Sequence, residues 1–237
     1  ILSGSIGVTL DGDTDKTRLY YGVGEIFGIV SLRSGLPSAT YGHAAEDTLL
    51  LQTPMKASSK LFSSVASIRE SVERTFLLRA VFRTFATICP PEELEEEVTE
   101  ASFSDVVEHG VFRRLKAQEV LYKEGDPTES LFILLKGSIS LSRFQKGQSQ
   151  IQHLITVGNC FGVDEIYLGG NRLDTATAST ATEVLEISIR VFHETIARFP
   201  SIHRGVERRA RKMLLKEQQR GQEEATNAVI GFVESVG

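Results

Sequence analysis

The chain has 237 residues, 41% of them hydrophobic and 24% charged, with a formal net charge of -5 and two cysteines. That is a globular composition, and its charge carries no single-sign excess that would demand nucleic acid or a membrane surface. No apolar run approaches the roughly eighteen residues of a membrane span, no secretory signal pattern is present, and Cys89 and Cys160 lie far apart without metal-ligand spacing, which points to buried thiols in a reducing, cytoplasmic compartment.

In chain order, residues 5–85 read as short strands followed by helical spacing. Between residues 90 and 98, two prolines and a cluster of glutamates predict a helix start, because proline suits the first turn and carboxylates favour the positive end of the helix dipole. Its face is either solvated or an acidic docking surface. Five segments rich in β-formers follow: Phe112–Leu115, Glu119–Tyr122, Leu131–Leu135, Ser138–Leu141 and 150–155. Turn signals at Gly125, Asp126 and Pro127, at Lys136 and Gly137, and at Lys146 and Gly147 separate them, as in a sandwich or barrel. Strands at Thr175–Ala178 and Glu183–Ile187 come next. Then the period changes: Val191, Phe192, Thr195, Ile196 and Phe199 are helically spaced, Pro200 interrupts, and Ser201 is positioned to cap a helix carrying Ile202, Val206, Met213 and Leu214. Residues 222–237 predict one short helix with Ala225, Val229, Phe232, Val233 and Val236 on an apolar side.

Part of this order is stated twice. At a spacing of 134 residues, Gly24, Phe27 and Gly28 fall on Gly158, Phe161 and Gly162, and Ser67, Ile68, Val72, Glu73 and Arg74 fall on Ser201, Ile202, Val206, Glu207 and Arg208. Gly35, Ala44, Thr48 and Leu51 also meet identical partners, and Gly4, Ser5 and Ile6 match Gly137, Ser138 and Ile139 at a spacing of 133. A fixed-period self-match of this kind reads as a duplicated domain. The fold class expected is therefore mainly β with helices, two tandem β-rolls each followed by α-helices. The expected divisions are 1–85, the later part of a first roll with its helices, 86–221, a complete second unit, and 222–237, a helical tail. The first copy lacks counterparts of the strands before Gly137, so the chain, opening on Ile1, reads as part of something longer.

The run from Phe161 and Gly162 through Gly169, Gly170, Asn171 and Arg172 to Thr175, Thr177 and Ala178 resembles the phosphate-binding cassette of cyclic nucleotide-binding domains. Glu124, Gly125 and Asp126, the stretch Leu131–Gly137, and the Gly158, Phe161, Gly162 pattern are similar to that family's jelly-roll signature. The resemblance covers residues 110–215, and residues 4–76 in the first copy. In such cassettes a glutamate after Phe-Gly accepts from the ribose hydroxyl, an arginine pairs with the cyclic phosphate, and backbone amides at a short helix start hold the anion.

The candidate ligand residues carried over are Gly162, Val163, Asp164, Glu165, Arg172, Leu173 and Asp174. Several depart from the pattern. Val163 stands where the glutamate belongs and cannot accept a hydrogen bond, which leaves the ribose hydroxyl unpaired at a cost of about 1–3 kcal/mol. Asp164 and Glu165 put carboxylates where the phosphate docks, unless a one-residue slip turns one of them to the ribose. Asp174 is placed to face and neutralise Arg172, or Arg172 is a surface arginine. In the first copy Ile29 and Ser38 replace the glutamate and the arginine, removing the charge-assisted pair.

The terminal helix, 202–220, offers no aromatic to lid a base, only Met213, Leu214 or Leu215. Instead it is basic, with Arg204, Arg208, Arg209, Arg211, Lys212, Lys216 and Arg220, which reads first as a solvated face and otherwise as a surface for an acidic partner, such as the glutamate-rich helix of another copy, or for nucleic acid. The five histidines show none of the close spacing of cupin metal sites, and no nucleophile elbow or Walker loop is present, so neither metal nor enzymatic chemistry is expected. Too little chain follows Leu214 for a DNA-reading domain. These readings combine into a non-catalytic regulatory or scaffold segment with degenerate pockets and no cofactor, whose partner is a protein or the remainder of a larger polypeptide. The alternative is a cAMP, cGMP or small-anion sensor acting through the second domain to control an enzyme or channel.

Overall fold

The structure is a computed structural model describing residues 1–9, 14, 19–34, 40–89, 93, 98–145, 148–168, 170–212 and 214–215. The predicted tail from 222 and most of the proline- and glutamate-rich run at 90–98 lie outside the described residues.

The second half is built on two four-stranded antiparallel sheets. One has the order β5 (Val120–Tyr122), β10 (Thr175–Ala178), β7 (Ile139–Gln145), β8 (Gln148–Ile155), and the other β4 (Val111–Leu115), β11 (Thr182–Ser188), β6 (Ser130–Lys136), β9 (Cys160–Phe161). The β6 sequence explains the layering. Side chains alternate across a strand, and here both faces are apolar. Phe132 and Leu134 point into the roll with Tyr122, Ile139, Phe161, Ala176 and Val184, whereas Leu131, Ile133 and Leu135 point out into a second core. That second core is helical. Phe76, Val81 and Phe85 of α3 (Ala66–Ile88), Phe103, Val106 of α4 (Ser104–His109), Val191, Phe192 and Ile196 of α6 (Ile189–Ala197), and Ile202 and Val206 of α7 (200–212) all lie in it. Phe103 stacks on Phe85 at 4.7 Å between ring centroids.

Each strand predicted between residues 111 and 188 is present, with β7 running on to Gln145 and β8 starting at Gln148. Pro200 does not stand outside α7 but is its first residue, where a missing N–H costs nothing. Ser201 is therefore inside the helix, not its cap, and its hydroxyl accepts from Arg204. Where α7 meets the end of α3, a Cβ on Gly205 would lie 2.9 Å from the Ile88 carbonyl oxygen and 3.1 Å from Cys89 Cβ, so only glycine permits that approach. Cys89 and Cys160 are buried, and neither is in a disulfide.

The first half carries a three-stranded sheet, β2 (Leu19–Tyr21), β1 (Ile6–Thr9), β3 (Tyr41–Ala44), then α1 (Ile29–Ser34 in sequence), α2 (Met55–Ser64) and α3. Its pairings are Ile6 with Tyr21 and Ala44, and Val8 with Leu19 and Gly42. In the second half Ile139 pairs with Ile155 and Ala178, and Leu141 with His153 and Ala176. These are the residues 133 positions on from β1 and 134 on from β2 and β3. The turns agree as well. Gly4 and Gly137 have φ of 76° and 84°, and a Cβ on either would meet a threonine Oγ1, Thr48 or Thr182, at 2.5 Å. Thr48 donates to the carbonyls of Ser5 and Glu46, and Thr182 to those of Ser138 and Thr180.

A glycine in this left-handed conformation is replaced at a cost of about 1–2 kcal/mol in backbone energy alone. Gly158→Ala, with φ of 89° and open space around the new methyl, should cost that much in urea unfolding. Gly137→Ala should cost about 1–3 kcal/mol more, because the methyl also overlaps Thr182 and the Ala181 carbonyl.

Candidate functional site

The cassette begins at Gly162, directly after β9, which pairs with Phe132 and Ile133 of β6. Gly162 has φ of 75°, and a Cβ there would stand 2.4 Å from Arg172 Nη1, so the turn requires glycine on both counts. Past it the chain enters the short helix α5 (Asp164–Leu168) and returns through Arg172 to β10.

Arg172 is only 3% exposed, so it is not a surface arginine. Its Nη1 donates to the Gly162 carbonyl at 3.3 Å and its Nη2 to the Ser130 carbonyl at 2.5 Å. The guanidinium lies 4.2 Å over the Tyr122 ring and 5.4 Å from that of Phe132, an arrangement in which the ring quadrupole helps to replace water around the charge. Its backbone is fixed by the loop predicted from Glu124, Gly125 and Asp126: Arg172 N donates to Asp126 O, and Gly125 N to Arg172 O. Nε of Arg172 and the Tyr122 hydroxyl are buried without a hydrogen-bond partner among the described residues.

Asp174 does not neutralise Arg172. It accepts from Nε and Nη2 of Arg143 on β7, at 3.0 and 3.4 Å, with only 12% and 10% of the two side chains exposed. Arg143 carried no motif, and the only signal for it was a charge within an otherwise β-forming run. Asp164 is likewise engaged, accepting from Arg209 of α7 at 3.0 and 3.4 Å. Glu165 is buried. Burial pushes its carboxyl above the usual range, opposed by the backbone N–H groups it accepts from, including that of Leu173, and by the charge of Arg172. Val163 faces the helical core and not the roll interior, so the residue expected beside a ribose is not brought together with Arg172. The basic helix finds an acidic partner within its own chain, Arg208 bonding Glu93.

In the first half, Gly28 has φ of 81°, Ile29 is buried and Phe27 is half-exposed, while Ser38 lies outside the described residues. A cation that sequence reasoning missed sits beside that turn. Arg79 of α3, 3% exposed, donates to the Ile26 carbonyl, pairs with Glu100 at 3.2 Å and lies 4.2 Å over the Tyr21 ring. Burial raises the Glu100 carboxyl, and Arg79 counters it.

The segment from residue 112 to residue 199 matches the family model of the cyclic nucleotide-binding domain. That segment is one cyclic nucleotide-binding domain. Solved structures similar to the chain include the sensor domain of the transcriptional regulator DNR from Pseudomonas aeruginosa, at 15% identity over 52% of this chain and 87% of that one, with a TM-score of 0.45. Two others are Thermus thermophilus catabolite activator protein, at 20% identity over 58% and 62% with a TM-score of 0.44, and a cyclic nucleotide-binding-like protein from Brucella abortus, at 22% over 43% and 87% with a TM-score of 0.38. Among curated proteins none matches. No described helix is long and apolar enough to cross a membrane, and no cluster of three metal-ligating side chains occurs among the described residues.

Removing one partner of a buried ion pair strands the other, at about 3–5 kcal/mol. Arg143→Met should cost that much in chemical unfolding, and adding Asp174→Leu should return most of it. Glu165 binds its proton more tightly when folded than when unfolded, so native stability should fall as pH rises from the ordinary carboxyl value, about 4.3, through its raised one. Glu165→Gln should remove that slope, as read by urea midpoints across the acid range.

Proposed function

We propose that the chain is a non-catalytic regulatory segment in which two cyclic nucleotide-binding-like rolls act through protein contacts, the pockets of both having lost their ligand chemistry. Equal ladder registers and equal threonine locks at Gly4 and Gly137 support reading the first half as a copy of the domain at 112–199. On that reading the domains are residues 1–85, the later part of a first roll with its helices, and 86–221, with a helical tail after them.

The observation that carries the loss of ligand binding is the state of Arg172. Two of its donor groups are already bound to backbone carbonyls, and its flat face is against Tyr122. An incoming phosphate would have to break those bonds and leave two buried carbonyls unpaired, at about 1–3 kcal/mol each. Asp164 and Glu165 add two carboxylates to the same turn, one tied to Arg209 and one buried. In the first half Ile29 and Ser38 stand at the positions of the glutamate and the arginine, so the charge-assisted pair with a phosphate is lost there. Recognition would then fall to protein surfaces, with the helices after each roll transmitting the contact.

One observation favours a second reading. The buried Nε of Arg172, without a hydrogen-bond partner among the described residues, leaves a donor for a small anion or a cyclic nucleotide in the second roll. Such a sensor would act by shifting α7, which the Asp164–Arg209 pair ties to the cassette.

Titration of the chain with cAMP and cGMP by calorimetry and thermal shift separates the two. Under the first reading no heat and no stabilisation appear at about 1 mM ligand, where a micromolar site would add about 4 kcal/mol. Micromolar binding that Arg172→Ala abolishes would replace the first reading with the second.

A further inference from the structure

The second roll guards each of its sheet edges except one. The outer strands of its two sheets are β5, β8, β4 and β9. β9 has two residues and β5 has three, bordered by Glu119 and Lys123, while β4 carries Arg113 and Arg114. Short length and charge are the ordinary ways to stop an edge from adding a strand. β8 has neither. It runs for eight residues, Gln148–Ile155, with no Asp, Glu, Lys, Arg or Pro, and among the described residues it pairs with β7 alone.

An apolar face accompanies that edge. Ile139 and Leu141 of β7 point into the roll, so Ser140, Ser142 and Phe144 point outward. Leu154 lies opposite Ser140 and Ile151 opposite Ser142, a step of two on β7 against three on β8, with the register shifting between Leu141 and Ser142. A bulge can turn an edge away from partners, but this one gathers Ile151 and Leu154 onto the same outer face, beside Phe144. The three are 70%, 60% and 66% exposed.

We propose that β8 is the pairing edge of a two-fold dimer, its occupant the β8 of a second copy running antiparallel across residues 150–155. Charge selects a copy of the chain as the partner. At a net charge of -5 two copies repel one another over their surfaces at large, and this uncharged strand is where they meet with no like charges opposed. The side chains fit the same symmetry. In the register that sets Ile151 opposite the partner's Leu154, the two-fold axis repeats the pair, giving two apolar cross-strand contacts flanked by Phe144 of each copy. Three side chains and a short strand edge per copy make an interface at the low end of the size range, under about 1,200 Å², which is the class of weak, reversible contacts. The proposal names a surface and a partner for the protein contacts inferred above, and it holds whether or not the pockets have lost their ligand.

Sedimentation velocity of the full chain should show a dimer fraction that grows between about 10 µM and 1 mM. Over the same range, amide exchange at residues 150–155 should slow by about fivefold or more. Ile151→Lys and Leu154→Glu, both at exposed positions, should each leave Tm unchanged and weaken the dimer more than about tenfold. Mixed together, the two variants should associate again, because the register sets the introduced lysine opposite the introduced glutamate. A chain that stays monomeric to about 1 mM, with exchange independent of concentration, overturns the proposal. So does a dimer that survives Ile151→Lys, since another surface then forms it, or a monomer whose residues 150–155 are protected at every dilution, since the chain then covers its own edge. A mixture that fails to associate overturns the antiparallel pairing. Nucleotide titration keeps the two readings apart: a dimer that also binds cAMP at micromolar concentration overturns the lost-pocket reading alone, and a monomer that ignores nucleotide overturns the dimer alone.

Discussion

The burial of the Arg172 guanidinium is the constraint around which the second roll is arranged. Taking a cation out of water costs several kcal/mol unless its donors find acceptors. Here the acceptors are the carbonyls of Ser130 and Gly162, and the Tyr122 ring supplies its face. Those partners come from β6, from the turn after β9 and from β5, while the loop at Gly125 and Asp126 holds the arginine's own backbone. One side chain therefore ties together both sheets and the cassette. A charge of the kind that attracts an anion is here held by backbone carbonyls and an aromatic face.

A parallel arrangement appears around Arg79, which lies over Tyr21, bonds a turn carbonyl and pairs with Glu100. Arginine suits both places because its planar, weakly hydrated group can stack and donate at once, which a lysine ammonium cannot. Arg79 sits on α3, and α3 also buries Phe76, Val81 and Phe85 in the core shared with β6, β11, α6 and α7. The first half is thus joined to the second through a packed helix and a buried charge, not through a bare linker.

Much of the fold was legible in the sequence because it rests on local rules. The turn signals at Gly125 and Gly137 mark places where φ is positive, and the change of period after Ile187 marks where strand gives way to helix. The site was less legible. Which carboxylate meets which arginine depends on three-dimensional neighbours: Asp174 finds Arg143 across the β7–β10 ladder, not Arg172 two residues away, because alternate residues of an extended chain share a face only while it stays extended. Arg172 reads from sequence either as a phosphate ligand or as a surface arginine, since arginine is usually exposed, and neither reading contains its burial against Tyr122. The orientation of Val163 toward the helices depends on packing between layers, which no linear spacing records.

Gly205 has a mechanical consequence. Because α7 approaches the Ile88 carbonyl so closely that a single hydrogen fills the gap, turning α7 about its axis would drive a neighbouring side chain into the end of α3. The helix is keyed in its seat like a bolt with one flat side. Asp164 and Arg209 tie the same helix to the cassette, so α7 is held at one place by an ion pair and at another by a contact that tolerates no side chain.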